Sequence, residues 1–262
     1  MAGMREIIST FGEVDNNTVI GIRAPYLRVG GNNQFTMMAN ELFIYDSSIT
    51  APLRNPPFWP YTLYHRIPHK CHGNSQNCPT RRFPVWEMVM NELDRREEPT
   101  IEENLSGCAM VDSCFSNKPT YDQFYNFLMH NFNRVYLQNR APLGLFFHSA
   151  FLKNEHDLLT AFTDWIEHIL ATYPDVYFTT MTQVIQWLGE PGGGPGVRDI
   201  NNFFAWKEPE ICVPTGEPYC YGGNNCKLGT PELPGETIHL ATCKTCPTYY
   251  PWLNDPKGQG VF

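Results

Sequence analysis

Thr18-Val-Ile-Gly-Ile-Arg-Ala-Pro-Tyr-Leu-Arg-Val-Gly-Gly-Asn-Asn-Gln-Phe-Thr-Met-Met-Ala-Asn-Glu-Leu-Phe-Ile-Tyr-Asp46 is the stretch whose reading decides the fold class. The apolar runs Thr18–Arg23 and Glu41–Asp46 read as strands, and Asn32–Asn40 between them reads as a short helix. Strands alternating with helices mean an α/β domain with parallel pairing. Upstream, residues 1–12 read as a helix with Met4, Ile7, Ile8 and Phe11 on one face, followed by a turn at Asn16–Thr18. Downstream, residues 50–82 are rich in proline, which predicts a long irregular connection. Pro84 precedes a predicted helix over Val85–Arg95, with Trp86, Val89, Met90 and Leu93 on its face. A second helix is predicted over Tyr121–Leu137, with Tyr121, Phe124, Phe127, Leu128, Phe132, Val135 and Tyr136 as its stripe. The third, His156–Tyr173, shows the most regular spacing, through Leu158, Leu159, Phe162, Trp165, Ile166, Ile169, Leu170 and Tyr173. Pro142–His148 and Asp175–Thr180 read as strands and Met181–Leu188 as a last helix. Glu190-Pro-Gly-Gly-Gly-Pro-Gly196 ends this domain, so residues 1–190 and 191–262 are expected to be different units. No internal repeat is present.

The chain has 262 residues and a net charge of −8. That length supports a sizeable core. The acidic balance disfavours a nucleic-acid partner, since phosphate recognition needs clustered Lys and Arg. No apolar run is long enough for a transmembrane helix, so no membrane partner is expected. Aromatic residues make up 14%. They would suit a carbohydrate-facing surface, but any one of them is more often plain core.

Nine cysteines and two acceptor sequons, Asn16-Asn17-Thr18 and Asn104-Leu105-Ser106, argue for a secreted, disulfide-bonded glycoprotein. Met1-Ala-Gly-Met-Arg-Glu6 is nevertheless no signal peptide, because it lacks an apolar core and carries Glu6 early. An odd cysteine count also leaves at least one without a partner in the chain. A start in the middle of a longer secreted protein would explain both facts; a cytosolic protein with free thiols is the alternative. Cys243-x-x-Cys246 could be half a zinc ribbon, but turn-rich surroundings favour disulfides.

Three polar residues follow apolar runs. Arg23 stands where the first strand ends and Pro25 stops it, a place that lines active sites in parallel α/β folds. An Arg after a strand is more often a surface salt-bridge former. His148 ends Leu145-Phe-Phe-His148 and has the chemistry to protonate a leaving group, or to be a satisfied core residue. Asp46 follows Phe43-Ile-Tyr45 and could orient a histidine or substrate, or cap a turn.

The stretches around these residues are distinctive. They include Arg23-Ala-Pro-Tyr-Leu-Arg-Val-Gly-Gly31, Tyr45-Asp-Ser-Ser-Ile-Thr-Ala-Pro52, Pro60-Tyr-Thr-Leu-Tyr64 and Pro68-His-Lys-Cys71. Pro84-Val-Trp-Glu-Met-Val-Met-Asn-Glu-Leu-Asp-Arg-Arg96, Met110-Val-Asp-Ser-Cys114, Asn139-Arg-Ala-Pro-Leu-Gly-Leu145 and Gln183-Val-Ile-Gln-Trp187 continue the pattern. So do Glu232-Leu-Pro-Gly-Glu-Thr237 and Tyr250-Pro-Trp252. Together they closely resemble the insect chitin deacetylases, polysaccharide deacetylases of carbohydrate esterase family four.

The resemblance implies a distorted (β/α) barrel, here lacking its N-terminal strands and helices, followed by a disulfide-rich C-terminal extension packing on the barrel. It implies hydrolysis of the N-acetyl groups of chitin or chitooligosaccharides by a water bound to a divalent metal, zinc. Carried over by motif, Arg23 orients the catalytic base, and the Tyr26 N–H, after Pro25, helps hold the oxyanion. Asp46 supports the active-site wall, and His148 is the general acid. Thr50 stands where the wider family has Trp, and Phe146 where it has Leu, so both alter the acetyl pocket. The family's Asp-Asp motif and its metal-binding His-x-x-x-His both precede the Arg motif; neither stands in the 22 residues before Arg23. His65 and His69 have the spacing, but they follow the Arg motif and Pro68 argues against the helix they would need. No metal ligand is therefore expected in this chain, no bound metal is expected for it alone, and it is expected to be inactive alone. The implied location is extracellular, in cuticle or gut lining. The rival is a chitin-associated binding or structural protein without turnover. Residues 197–262 carry five cysteines, too few for the usual six-cysteine chitin-binding pattern.

Overall fold

In the computed structural model, which describes residues 2–12, 14–71, 76–95, 107–153, 155–189, 223–242, 244–252 and 254–260, the strand–helix–strand unit is present in shortened form. Helix α1 (Ala2–Gly12) leads into a 3-10 turn at Asn16–Thr18, where the Asp15 carboxylate accepts the Asn17 N–H at 3.0 Å. Strand β1 (Gly21–Ile22), helix α2 (Gly31–Asn40) and strand β2 (Tyr45–Asp46) follow, with β1 parallel to β2. The second strand is shorter than its apolar run. Glu41 N–H still bonds the α2 carbonyl of Met37 at 2.9 Å, and Leu42 turns the chain with φ 57°. Gly21 is required by packing, because a Cβ there would lie 2.1 Å from Cζ of Tyr45.

Four strands share one sheet. β3 (Thr50–Ala51) lies outside it; β4 (Tyr61–Thr62) and β5 (Trp86–Glu87) complete it in the order β1-β2-β5-β4. The β2–β5 pair is parallel and the β4–β5 pair antiparallel. β3 pairs in parallel with β6 (Met90–Asn91). Val85–Arg95 is therefore two short strands and not the expected helix. Val85, Glu87, Met88, Val89, Met90, Leu93 and Asp94 are all buried. A run buried on both faces carries no period that separates helix from strand. Ladder bonds decide it: Trp86 N–H to Ile44 O at 2.9 Å and Met88 N–H to Asp46 O at 2.8 Å.

The helical half matches its periodicity better. α3 (Tyr121–Tyr136) begins with a capping box in which Thr120 and Gln123 bond each other's backbone. After the short α4 (Ser149–Leu152), α5 (His156–Thr172) packs on α3 through Leu158, Ala161, Trp165 and Ile169. Leu159 and Leu170, assigned to the buried stripe by spacing, stay 50% and 54% exposed. They lie to one side of the line facing α3, where Ala161 admits close approach. α6 (Met181–Gly189) is present as expected, one residue longer. A second core joins Phe35 and Met38 of α2 to Ile49, Leu63, Phe83 and Val85. None of the described helices is long and apolar enough to cross a membrane.

Two expected strands do not form. Residues 142–148 and 175–180 have no ladder among the described residues, although Val111 N–H reaches Phe146 O at 2.7 Å. Both line an apolar cavity of about 850 Å³ with Phe132, Phe146, Trp165, Val176 and Phe178 on its walls. A strand needs a neighbouring backbone, and among the described residues none runs beside either segment as a ladder.

A hairpin of β7 (Asn224–Leu228) and β8 (Ile238–Thr242) is stapled by Cys226–Cys246, and its Thr242 hydroxyl bonds Phe11 O at 3.4 Å. Cys71–Cys78 and Cys108–Cys114 are also disulfides. The Gly-rich run at 190–196 and the residues Asn104, Cys212, Cys220 and Cys243 lie outside the described residues.

Asn131 joins the two halves. Its amide donates to Asp94 O at 2.8 Å and Phe127 O at 3.1 Å, and its oxygen accepts the Asp94 N–H at 2.8 Å. Asn131→Ala would remove three hydrogen bonds at a buried site, two of them to the main chain of Asp94. An expected loss of about 2–4 kcal/mol follows, measurable by urea unfolding.

Candidate active site

Arg23 leaves the C-terminal end of β1, as its position after the strand anticipates. Its Nε donates to Ser47 O and its Nη2 to Ser47 Oγ, each at 2.9 Å. The guanidinium lies 4.2 Å from the Phe146 ring centroid and 3.8 Å, through Nη2, from Met181 Sδ. Burial lowers its pKa, and the charge of Asp46 opposes that shift. The fork is thus held by the segment after β2 and by an aromatic face. Among the described residues its guanidinium bonds Ser47 and not a carboxylate, although the residue stays exposed.

Asp46 is fully buried at the end of β2. One carboxylate oxygen accepts from Gln34 Nε2 at 2.8 Å and Ser48 Oγ at 2.9 Å; the other accepts from Ser48 N–H at 2.8 Å. Burial pushes its pKa up to about 6, opposed chiefly by the two Ser48 bonds. Its neighbour Glu87, on β5, is also fully buried. Burial first, and then the charge of Asp46, push the Glu87 carboxyl well above the usual carboxylate range. Glu87 Oε1 accepts the Ile49 N–H at 3.1 Å, and the two buried carboxyls act on each other. The capping alternative for Asp46 describes its Ser48 contacts, while the Glu87 partnership goes beyond a cap.

His148 ends the extended segment 142–148 and begins α4. Its Nδ1 lies 2.6 Å from Asp112 Oδ2, and its side chain is 73% exposed. A carboxylate on Nδ1 makes that nitrogen the donor, which leaves Nε2 toward solvent. It is no buried core histidine. Asp112 sits on a 3-10 turn, Val111–Ser113, closed by Cys108–Cys114 and joined to the histidine segment by the Val111–Phe146 bond. Because Arg23 stacks on Phe146, two residues before His148, three distant parts of the chain meet.

Pro25 opens a 3-10 turn in which Tyr26 and Leu27 have φ of 55° and 54°. Tyr26 is 93% exposed, and its N–H has no hydrogen-bond partner among the described residues. Thr50, at the position of the family's Trp, is buried. The His65/His69 pair is a decoy in structure too. His69 Nε2 meets Tyr61 OH at 2.9 Å and Nδ1 meets Lys70 O at 2.8 Å, so both ring nitrogens are engaged. Among the described residues no group of three or more His, Cys, Asp or Glu is placed to hold a metal ion. The described residues thus offer no three-ligand site for the metal that the resemblance implies.

Sequence reasoning missed two members of this site. Asp112 lies inside the quoted stretch Met110–Cys114, and a carboxylate between two cysteines was the only available signal. Glu87 was hidden inside the misread helix.

Comparison with known proteins completes the description. The chain is 61% identical over all 262 residues to chitin deacetylase 1 of Bombyx mori, covering 48% of that protein. It is 32% identical over 254 residues to chitin deacetylase 8 of Bombyx mori, 95% of this chain and 61% of that protein. The chain thus spans about half to three-fifths of the length of these relatives. No protein-family model matches it.

Proposed function

This chain belongs to the insect chitin deacetylases, and from that premise we propose that it carries the proton-donating and oxyanion-holding side of a site that removes acetyl groups from chitin. The substrate class is N-acetylglucosamine polymer or oligomer, and the products are glucosamine units and acetate. The single observation that carries this reading is the meeting of Arg23, Phe146 and the His148–Asp112 pair.

Each residue has a distinct task in this reading. Asp112 holds His148 in one orientation and stabilises the ring when it is protonated. His148 Nε2 delivers a proton to the amine as the carbon–nitrogen bond breaks, so that the amine leaves neutral. The Tyr26 N–H receives the negative charge that develops on the acetyl oxygen. Arg23, held by Ser47, presents a fixed positive charge for the catalytic carboxylate that the resemblance implies. Asp46, tied to Ser48, holds the wall on which Arg23 rests. In the family, a divalent metal activates the attacking water. No step is assigned to it here.

The fold proposed for the intact protein is the distorted barrel, with further strands covering segments 142–148 and 175–180. The parallel pairing of β1, β2 and β5 and the apolar cavity beside those segments support that arrangement. Secretion is supported by the three disulfides, and the exposed Asn16 in its sequon is the corresponding glycan site.

The test compares two proteins on chitooligosaccharides. The full-length protein is expected to release acetate, and the purified 262-residue chain is expected to release none. Turnover by the short chain would show that these residues suffice. Silence from the full-length protein would remove the deacetylase reading.

A further inference from the structure

The Cys71–Cys78 loop belongs to none of the catalytic motifs, yet its Gln76 ties two of them together. Gln76 Nε2 donates to Leu27 O at 2.6 Å and to Ser48 O at 3.0 Å. Its Oε1 accepts the Thr50 N–H at 3.3 Å. The next residue, Asn77, forms a parallel bridge with Gly30. One side chain therefore spans the Arg23–Leu27 turn and the segment that follows Asp46.

That turn needs a brace. Tyr26 and Leu27 are consecutive non-glycine residues in the left-handed region, with φ of 55° and 54°. Such conformations persist only where the surroundings over-determine them. The turn is held at both ends. Ala24 N–H bonds Ser48 Oγ at 2.8 Å before the pair, and Gln76 captures the Leu27 carbonyl after it. Between these two anchors stands the Tyr26 N–H. Its direction follows from the dihedrals that the anchors enforce.

We propose that Gln76 is a positioning residue that aims the Tyr26 N–H at the reacting carbonyl, and that the Cys71–Cys78 loop is the brace presenting it. This inference rests on the reading that the Tyr26 N–H receives the oxyanion. It assigns Gln76 no contact with substrate.

The experiment uses the full-length protein with Gln76→Glu and Gln76→Ala. Glutamate keeps the shape but sets carboxylate oxygens against two carbonyls; alanine removes all three bonds. Both variants are expected to lower kcat by about tenfold to a hundredfold with KM within about twofold, as when an oxyanion donor is misdirected. Amide hydrogen exchange at residues 26–29 is expected to quicken. Asn32→Ala serves as the structural control. Asn32 fixes Thr80, beyond the same loop, at 2.8 Å and 2.9 Å, and it touches neither motif. Asn32→Ala is expected to lower the melting temperature with kcat retained. Unchanged kcat in both Gln76 variants would overturn the proposal, as would a rise in KM with kcat intact. If the unaltered full-length protein releases no acetate, the deacetylase reading fails by itself. Exchange at 26–29 then decides on the brace: faster exchange upholds it and unchanged exchange overturns it.

Discussion

His148→Ala in the full-length protein is expected to lower kcat for acetate release by about 10²–10⁴-fold with little change in KM. An amine is a poor leaving group unless a proton reaches it as the bond breaks. Among the described residues His130 and His156 also meet carboxylates, Asp94 and Asp157, but neither stands on the segment whose Phe146 packs on Arg23. His65 and His69 stand elsewhere, and His69 spends both nitrogens on Tyr61 and Lys70. Asp112→Asn should give a smaller loss, about tenfold to a hundredfold, because the imidazole loses its anionic partner but keeps its place. Steady-state acetate release separates these cases, and added imidazole should restore part of the His148→Ala loss. A His148→Ala protein with unaltered kcat would remove the histidine from the mechanism.

The second large effect concerns stability. Asp46→Ala is expected to cost about 3–5 kcal/mol, measured by urea unfolding near neutral pH. The substitution removes the acceptor of the Gln34 amide and of the Ser48 N–H and hydroxyl at a fully buried position. The pH dependence has a definite sign. Asp46 sits at about 6 when folded, against an ordinary 3.8. Between those values the unfolded chain holds fewer protons than the folded one, so stability falls as pH rises. The fall runs from about pH 4 to about pH 6, on the order of 1–3 kcal/mol. Glu87, shifted the same way, adds to the fall. Glu87→Gln removes that titration and should make the fall smaller. A stability curve that instead rises through this window would show that the buried pair is not ionised as described.

How much of this was legible in the sequence depends on distance along the chain. The helices α3, α5 and α6 were visible because periodicity is a local property and their faces meet one partner each. Arg23, Asp46 and His148 were visible because each follows an apolar run, and Tyr26 because it sits in a distinctive motif. Such signals need no knowledge of the rest of the molecule. Val85–Arg95 misled because burial on both faces erases the period. Residues 142–148 and 175–180 misled in the opposite sense: they have the composition of strands, but a strand exists only when another backbone lies beside it.

The pairings of charges and hydrogen bonds were out of reach altogether. Asp112 and His148 are 36 residues apart, Asp46 and Glu87 are 41 apart, and Gln76 and Leu27 are 49 apart. Composition sets which groups are present to pair. The sequence by itself determined the helical cores, the family motifs and the chemistry available in this chain. Only the tertiary structure decided which carboxylate holds the histidine, which two acids are buried side by side and which amide braces the turn. The physical reason is that hydrogen bonds and desolvation act over a few ångströms in space, whatever the separation along the chain.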